Sequence, residues 1–145
     1  MRYLDRLSPD RIEADWGRIS VLLAPAIAHD DKRDPTDVYR DLMTGALELY
    51  DLDLTRVHGV AVTEIAPSTA NVRCMWIVYV GGTVTGARHE WIRRVRTLLS
   101  YFEGIARAEG CRELRIEGRD WSRILTDYER LTDRHGRNEL RKVLL

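Results

Sequence analysis

The segment MWIVYV, residues 75–80, is almost continuously apolar, and it constrains the fold more than any other part of the chain. A strand with one face in water alternates apolar and polar residues, whereas a strand covered on both faces reads as an unbroken apolar run. We therefore expect this segment to be a central strand of a sheet that carries helices on both faces.

Helical periodicity is found in two segments before this strand. Ser8 is a candidate N-cap and Pro9 suits the first helical position. Apolar residues then recur at helical spacing: Ile12, Trp16, Ile19, Leu23 and Ile27. Pro25 should kink or end this first helix near its last turn. A second helix is predicted to begin at Asp34-Pro35 and to end near Gly45.

The hydrophobic period then changes to that of strands. Three strand-like runs follow one another, LELYDL at 47–52, RVHGVAVTEIA at 56–66 and NVRCMWIVYV at 71–80. A long amphipathic helix is predicted from Glu90 to Gly110, followed by a strand in RELRIE, a short helix from Trp121 and two strands in the tail.

With a first short strand at residues 2–6, the predicted order is β-α-α-β-β-β-α-β-α-β-β. This order describes an α/β (α+β) fold, with a mixed central sheet flanked by helices on both faces. The length of 145 residues predicts a single domain over residues 1–145.

The charges of the chain are balanced, with 23 basic and 23 acidic residues. A neutral chain has no overall field to draw it to nucleic acid or an anionic membrane, so neither partner is expected. We find no apolar run long enough for a membrane span, and no secretory signal. Cys74, Cys111 and the four histidines lack the spacing of metal ligands, so no metal site is expected.

Five separate features form a recognisable set: VAVTEI at 60–65, Gly81-Gly82, Trp91, Gly110-Cys111 and GRDWSRIL at 118–125. This set resembles a group of small bacteriophage proteins with the fold of GNAT N-acetyltransferases. The resemblance implies a GNAT-like fold and a non-catalytic role in virion structure or assembly, in the virion or the host cytoplasm. The implied partners are other phage structural proteins or further copies of the chain. The terminal strand, RNELRKVLL, is expected to be an exposed edge for such contacts.

The same resemblance indicates where coenzyme A would bind. GNAT enzymes hold its pyrophosphate at the start of the long helix, on a loop with the pattern Arg or Gln, two residues, Gly, any residue, Gly or Ala. The matching segment, GGTVTGARHEWIRR, has Gly81, Gly82, Gly86 and Arg88 in a different spacing, and Glu90 in the first turn would repel phosphate. Three arginines would still attract it: Arg88, Arg93 and Arg94. The motif is degenerate, and no bound cofactor is expected.

The alternative is an acetyl-CoA-dependent N-acetyltransferase, in which Gly81, Gly82, Gly86 and Arg88 would contact acetyl-CoA. The resemblance implies a glutamate that takes the amine proton and a tyrosine that protonates the departing thiolate. Glu64 is the best glutamate by position, Glu117 is second, and Tyr128 matches the tyrosine. Structural interpretations stay open, since strand-end glutamates are usually solvated or ion-paired, and tyrosines of this kind are usually half-buried core residues.

Overall fold

The computed structural model describes residues 4–54, 57–84, 87–118, 125–132 and 138–144. The strands are β1 (Leu4–Arg6), β2 (Glu48–Leu54), β3 (Val57–Pro67), β4 (Arg73–Val84), β5 (Glu113–Glu117), β6 (Glu129–Thr132) and β7 (Asn138–Val143). The helices are α1 (Pro9–Ala14), α2 (Trp16–Ala28), α3 (Pro35–Thr44) and α4 (Arg88–Ala108). The short helix predicted from Trp121 lies outside the described residues.

The strands form one seven-stranded sheet in the order β1-β2-β3-β4-β5-β7-β6. Among the strands of the described residues, only β4 and β5 pair in parallel, and the other neighbouring pairs are antiparallel. The mixed sheet and the central position of β4 are therefore confirmed.

Each face of the sheet has its own core. On one face, α1, α2 and α3 pack on β2, β3 and β4 through Ile12, Ile19, Leu23, Val38, Leu42, Leu49, Val60, Val62 and Tyr79. On the other face, α4 packs through Leu98, Leu99, Phe102 and Ala106 on Met75, Ile77, Leu114 and Leu140. The expected helices on both faces are confirmed.

The first predicted helix is two helices. Ser8 caps α1 and Pro9 begins it, as expected, but the chain leaves helical geometry at Asp15 before α2 starts. Pro25 lies inside α2, which continues to Ala28. A proline removes one hydrogen bond, here to the carbonyl of Val21, and this side of α2 faces solvent because Val21 is exposed. Water can therefore satisfy that carbonyl.

The terminal strand is not an edge of the sheet. β7 lies between β5 and β6, and the edge strands are β6 and β1. β7 pairs with β5 from Glu113↔Val143 to Glu117↔Glu139, and Arg115 of β5 donates a 2.6 Å hydrogen bond to Glu139. The alternation of the tail fits either position, since it does not reveal which strand of a hairpin lies next to β5.

Candidate functional site

Strands β4 and β5 separate part of the way along the sheet. Their last parallel pair is Ile77↔Ile116, yet β4 continues to Val84 while β5 ends at Glu117. Within the described part of the chain, no strand pairs with β4 beyond Ile77 on that side. We call the gap beside residues 78–84 the β4–β5 opening. Backbone N–H and C=O groups on this edge have no partner in any described strand.

A β-bulge lies where the opening begins. Val62 of β3 pairs with Tyr79 and Thr63 pairs with Ile77, so Val78 of β4 has no partner on β3. A bulge bends its strand and increases the local twist. Because the bulge follows the last pair between β4 and β5, it accounts for the separation of the two strands.

Gly81 and Gly82 belong to β4 and have packing roles. A Cβ on Gly81 would lie 1.9 Å from the carbonyl oxygen of Leu22 in α2. Gly82 has a φ of +145°, and its Cβ would lie 2.2 Å from the carbonyl oxygen of His58. The two glycines therefore let α2 and β3 approach β4 closely. Gly86 and the side chain of Arg88 lie outside the described residues, and contact of these four residues with a cofactor stays a prediction.

The start of α4 has features that favour and oppose an anion. Its N-cap residue, Ala87, supplies no capping side chain, and the N–H of Glu90 donates to the Ala87 carbonyl at 3.0 Å, so the positive potential is left at the N–H groups before Glu90. Glu90 lies in the first turn and weakens that potential. The arrangement fits a phosphate, but less well than a helix start without an acidic residue.

A polar cluster connects the α2–α3 loop (residues 29–34) to the sheet. The Tyr79 hydroxyl donates a hydrogen bond to the carboxylate of Asp30. Arg33 donates to Glu64 of β3 at 2.6 Å and lies 3.4 Å from Asp41 of α3. Burial, followed by the bond to Asp30, raises the pKa of the Tyr79 hydroxyl. These contacts fix the loop over the part of β4 that follows the bulge.

Glu64, the favoured glutamate of the sequence analysis, is occupied by this cluster. Its carboxylate is the acceptor of the 2.6 Å bond from Arg33, and both side chains are mostly buried. Taking a proton would weaken this ion pair. The geometry therefore gives Glu64 the role of holding the α2–α3 loop.

Glu117 lies at the closed end of the β4–β5 opening, because it directly follows Ile116. Its side chain is 33% exposed, and the Nζ of Lys32 lies 3.9 Å away. Burial raises the pKa of the Glu117 carboxyl, Lys32 lowers it, and Glu139, Asp30 and Glu64 raise it further. A carboxylate with raised proton affinity at this position suits a general base.

Tyr128 lies in the core on the α4 face of the sheet. Its hydroxyl donates a 3.1 Å hydrogen bond to the buried carboxylate of Glu103, and burial followed by Glu103 raises the pKa of the hydroxyl. Glu117 alternates with Ile116, which faces α4, so the Glu117 side chain leaves the sheet on the opposite face. The structure therefore does not bring Tyr128 together with Glu117 or with Glu64.

Sequence reasoning missed Tyr79 as a member of this cluster. The available signal was a tyrosine inside the apolar run 75–80, because a buried hydroxyl needs a hydrogen-bond partner. Among the described residues, no group of three His, Cys, Asp or Glu side chains could hold a metal ion. No helix in the same part of the chain is long and apolar enough to cross a membrane.

No protein-family model matches the sequence, and no curated protein matches it. Solved structures do match. The chain is similar to N-acetylglutamate synthase from Neisseria gonorrhoeae complexed with coenzyme A and N-acetyl-glutamate, with 12% identity and a TM-score of 0.63, over 100% of this chain and 36% of that one. It is also similar to a chain of the NatC complex bound to Gag peptide and CoA, with 14% identity and a TM-score of 0.60, over 98% of both chains.

A third similar structure is a GNAT-family acetyltransferase from Listeria monocytogenes, with 9% identity and a TM-score of 0.56, over 97% of this chain and 94% of that one. At such identities the likeness establishes the fold alone. The GNAT-like fold expected from the sequence is therefore confirmed, as a seven-stranded mixed sheet flanked by helices.

Proposed function

We propose that this protein is an acetyl-CoA-dependent N-acetyltransferase, with Glu117 as the general base. The observation that carries the proposal is the separation of β4 from β5 at the bulge, with a carboxylate of raised pKa at the closed end. Two of the similar structures hold coenzyme A, which supports the same proposal.

The β4–β5 opening suits the pantetheine arm of acetyl-CoA. That arm contains amide groups, and the edge of β4 at residues 78–84 has backbone donors and acceptors that no described strand uses. The start of α4 would hold the pyrophosphate on its N–H groups. When bound, acetyl-CoA supplies an acyl group activated as a thioester.

The residues of the chain would then prepare the acceptor amine. Glu117 takes the proton from the amine, and its raised pKa makes it a stronger base than an exposed glutamate. Arg33 and Glu64 hold the α2–α3 loop beside this point. Tyr128 has no part in the proposed chemistry, because its hydroxyl is bonded to Glu103 on the other face.

The test is an assay of free CoA thiol released from acetyl-CoA in the presence of a panel of primary amines. The wild-type protein should release thiol in an amine-dependent manner, and Glu117→Gln should lower kcat/KM by about 100-fold or more. Glu109→Gln, a charge-matched change beyond the end of α4, serves as the control. Amine-independent release, or equal rates for wild type and Glu117→Gln, would contradict the proposal.

The non-catalytic role in virion structure or assembly receives no support from the solved structures or from the described geometry. Phage origin, phage partners and location in a virion stay predictions of the sequence resemblance. Detection of the protein in purified particles, without acetyl transfer, would favour that role over the enzyme.

A further inference from the structure

The chain is very poor in lysine. Lysine and arginine total 23, and only Lys32 and Lys142 are lysines, which leaves 21 arginines. An arginine stays protonated at all ordinary pH values and is a poor acyl acceptor, whereas a deprotonated lysine is a good nucleophile. If the protein transfers acetyl groups to amines, Lys32 and Lys142 are the two lysine amines that it could modify on itself.

Lys142 is held as a cation. Its Nζ lies 2.8 Å from Glu103 and 2.8 Å from Asp127. Hydrogen bonds to Asp127 and then to Glu103 raise its pKa. A protonated amine has no free electron pair, so Lys142 is a poor nucleophile.

Lys32 has a more open setting than Lys142. It belongs to the α2–α3 loop, its side chain is 55% exposed, and its Nζ lies 3.9 Å from the Oε1 of Glu117. Asp30 and Arg33, on either side of it in the loop, are fixed to Tyr79 and Glu64. The Lys32 amine is therefore held beside the candidate base, at the closed end of the β4–β5 opening.

We propose that the protein acetylates its own Lys32. This inference rests on the proposed function, because it uses the same base and the same opening. A new bond forms between the Nζ of Lys32 and the acyl carbon of acetyl-CoA, while the carbon–sulfur bond breaks. CoA leaves as the thiolate with the electron pair of that bond. The ammonium gives up two of its three protons, one to Glu117 and one to solvent, and keeps the third as the amide N–H, while the thiolate takes up one proton from solvent.

The modification would change the site. Acetylation removes the positive charge of Lys32, which is the charge that lowers the pKa of Glu117. The acetylated side chain also occupies the position of an acceptor beside the base. Self-acetylation would therefore slow transfer to other amines.

The experiment is intact-protein mass spectrometry during incubation with acetyl-CoA, followed by peptide mapping. The mass of the isolated protein is recorded first, because acetyl-CoA of the expression host reaches the protein before purification. We expect the mass of one acetyl group to be gained, mapped to Lys32, lost in Lys32→Arg and kept in Lys142→Arg. Glu117→Gln should slow the gain by about 100-fold.

The outcomes separate this inference from the proposed function. Acetylation of Lys32 and Lys142 at equal rates, or at the same rate in heat-denatured protein, is ordinary chemical acetylation and overturns the inference. No acetylation of Lys32 by a protein that does acetylate an added amine also overturns it, while the proposed function stands. If neither the chain nor an added amine is acetylated, both fail.

A measurement without acetyl-CoA tests whether Lys32 lies beside Glu117. NMR titration of the Glu117 carboxyl should give a higher pKa in Lys32→Gln, which imitates acetyl-lysine, than in wild type, because the nearby cation is gone. Lys142→Gln should leave the Glu117 titration unchanged. An unchanged Glu117 pKa in Lys32→Gln would show that the amine does not lie beside the base, and would overturn the inference.

Discussion

Burial suits the Glu117 carboxylate to act as a base, but the same burial destabilises the fold when the carboxylate is ionised. Burial raises the pKa of the folded carboxyl, so the folded state favours the protonated form. The resulting stabilisation is fully present below the ordinary glutamate pKa of about 4.3 and is lost as the pH rises through the folded pKa. At neutral pH, the ionised carboxylate therefore destabilises the fold.

Replacing Glu117 with Gln should accordingly raise the free energy of unfolding at neutral pH and have little effect in acid. Urea denaturation at both pH values measures this, with Glu109→Gln as the control for removal of an exposed carboxylate. A Glu117→Gln variant that is less stable than wild type at neutral pH would show that the carboxylate is favourably paired, against the assignment of a base.

Arg33 is the residue that holds two mostly buried carboxylates, Glu64 and Asp41. Arg33→Met should lower the free energy of unfolding by about 1–3 kcal/mol, because Glu64 loses its 2.6 Å ion pair and Asp41 keeps only the exposed Arg40. Arg40→Met is the matched control, since Arg40 also contacts Asp41 but is 63% exposed, and it should cost less than about 0.5 kcal/mol. Chemical denaturation that gives equal costs for the two variants would contradict this role of Arg33.

At this scale, the sequence points to Glu64 and Glu117 but does not reveal the contacts that surround each carboxylate. Glu64 was favoured by its place in a strand, yet its partner Arg33 is 31 positions away in the chain. Glu117 was placed second, and its raised pKa comes from burial in the folded chain. Neither property is a local pattern of residue types.

Among the elements, the crossing of α2 over β4 depends on one glycine. A Cβ at Gly81 would overlap the Leu22 carbonyl, which is backbone and cannot move alone. Gly81→Ala should therefore lower the free energy of unfolding by about 2 kcal/mol or more. Gly104→Ala in α4, where a Cβ meets no atom within 4 Å, should instead stabilise by about 0.5–1 kcal/mol. Equal effects of the two changes in urea denaturation would refute the close crossing.

Tyr128 links the segment before β6 to α4 through Glu103. Tyr128→Phe should cost about 1 kcal/mol of stability, because the buried carboxylate loses one donor, while Lys142 still contacts it. Since the hydroxyl lies on the face opposite Glu117, kcat for acetyl transfer should be unchanged. A loss of about 100-fold in kcat would restore Tyr128 as the acid.

Regular elements were predictable because each has a clear hydrophobic period and clear ends. Asp34 forms the capping box of α3, and Gly45 ends that helix with a φ of +83°. The break at Asp15 was not predictable, since the apolar spacing runs through it. The insertion of β7 beside β5 was also missed, because strand order depends on pairing between distant segments.

For the molecule as a whole, the fold class followed from the sequence and the proposed cofactor site did not. Gly81, Gly82 and Gly86 do not have the spacing of the GNAT phosphate motif, and on this ground the sequence argued against coenzyme A. The β4–β5 opening argues for coenzyme A binding. This opening arises from a bulge at Val78 and from the early end of β5, and neither feature is revealed by composition or by the hydrophobic period of the sequence.

The most direct test of this account is calorimetric titration of the protein with coenzyme A. We expect saturable binding in the micromolar range, with one site per chain. Glu90→Gln should tighten it about two- to fivefold by removing an anion from the first turn of α4, whereas Glu109→Gln at the far end should not. Absence of binding at about 1 mM coenzyme A, a limit of about −4 kcal/mol, would contradict the β4–β5 opening as a cofactor site.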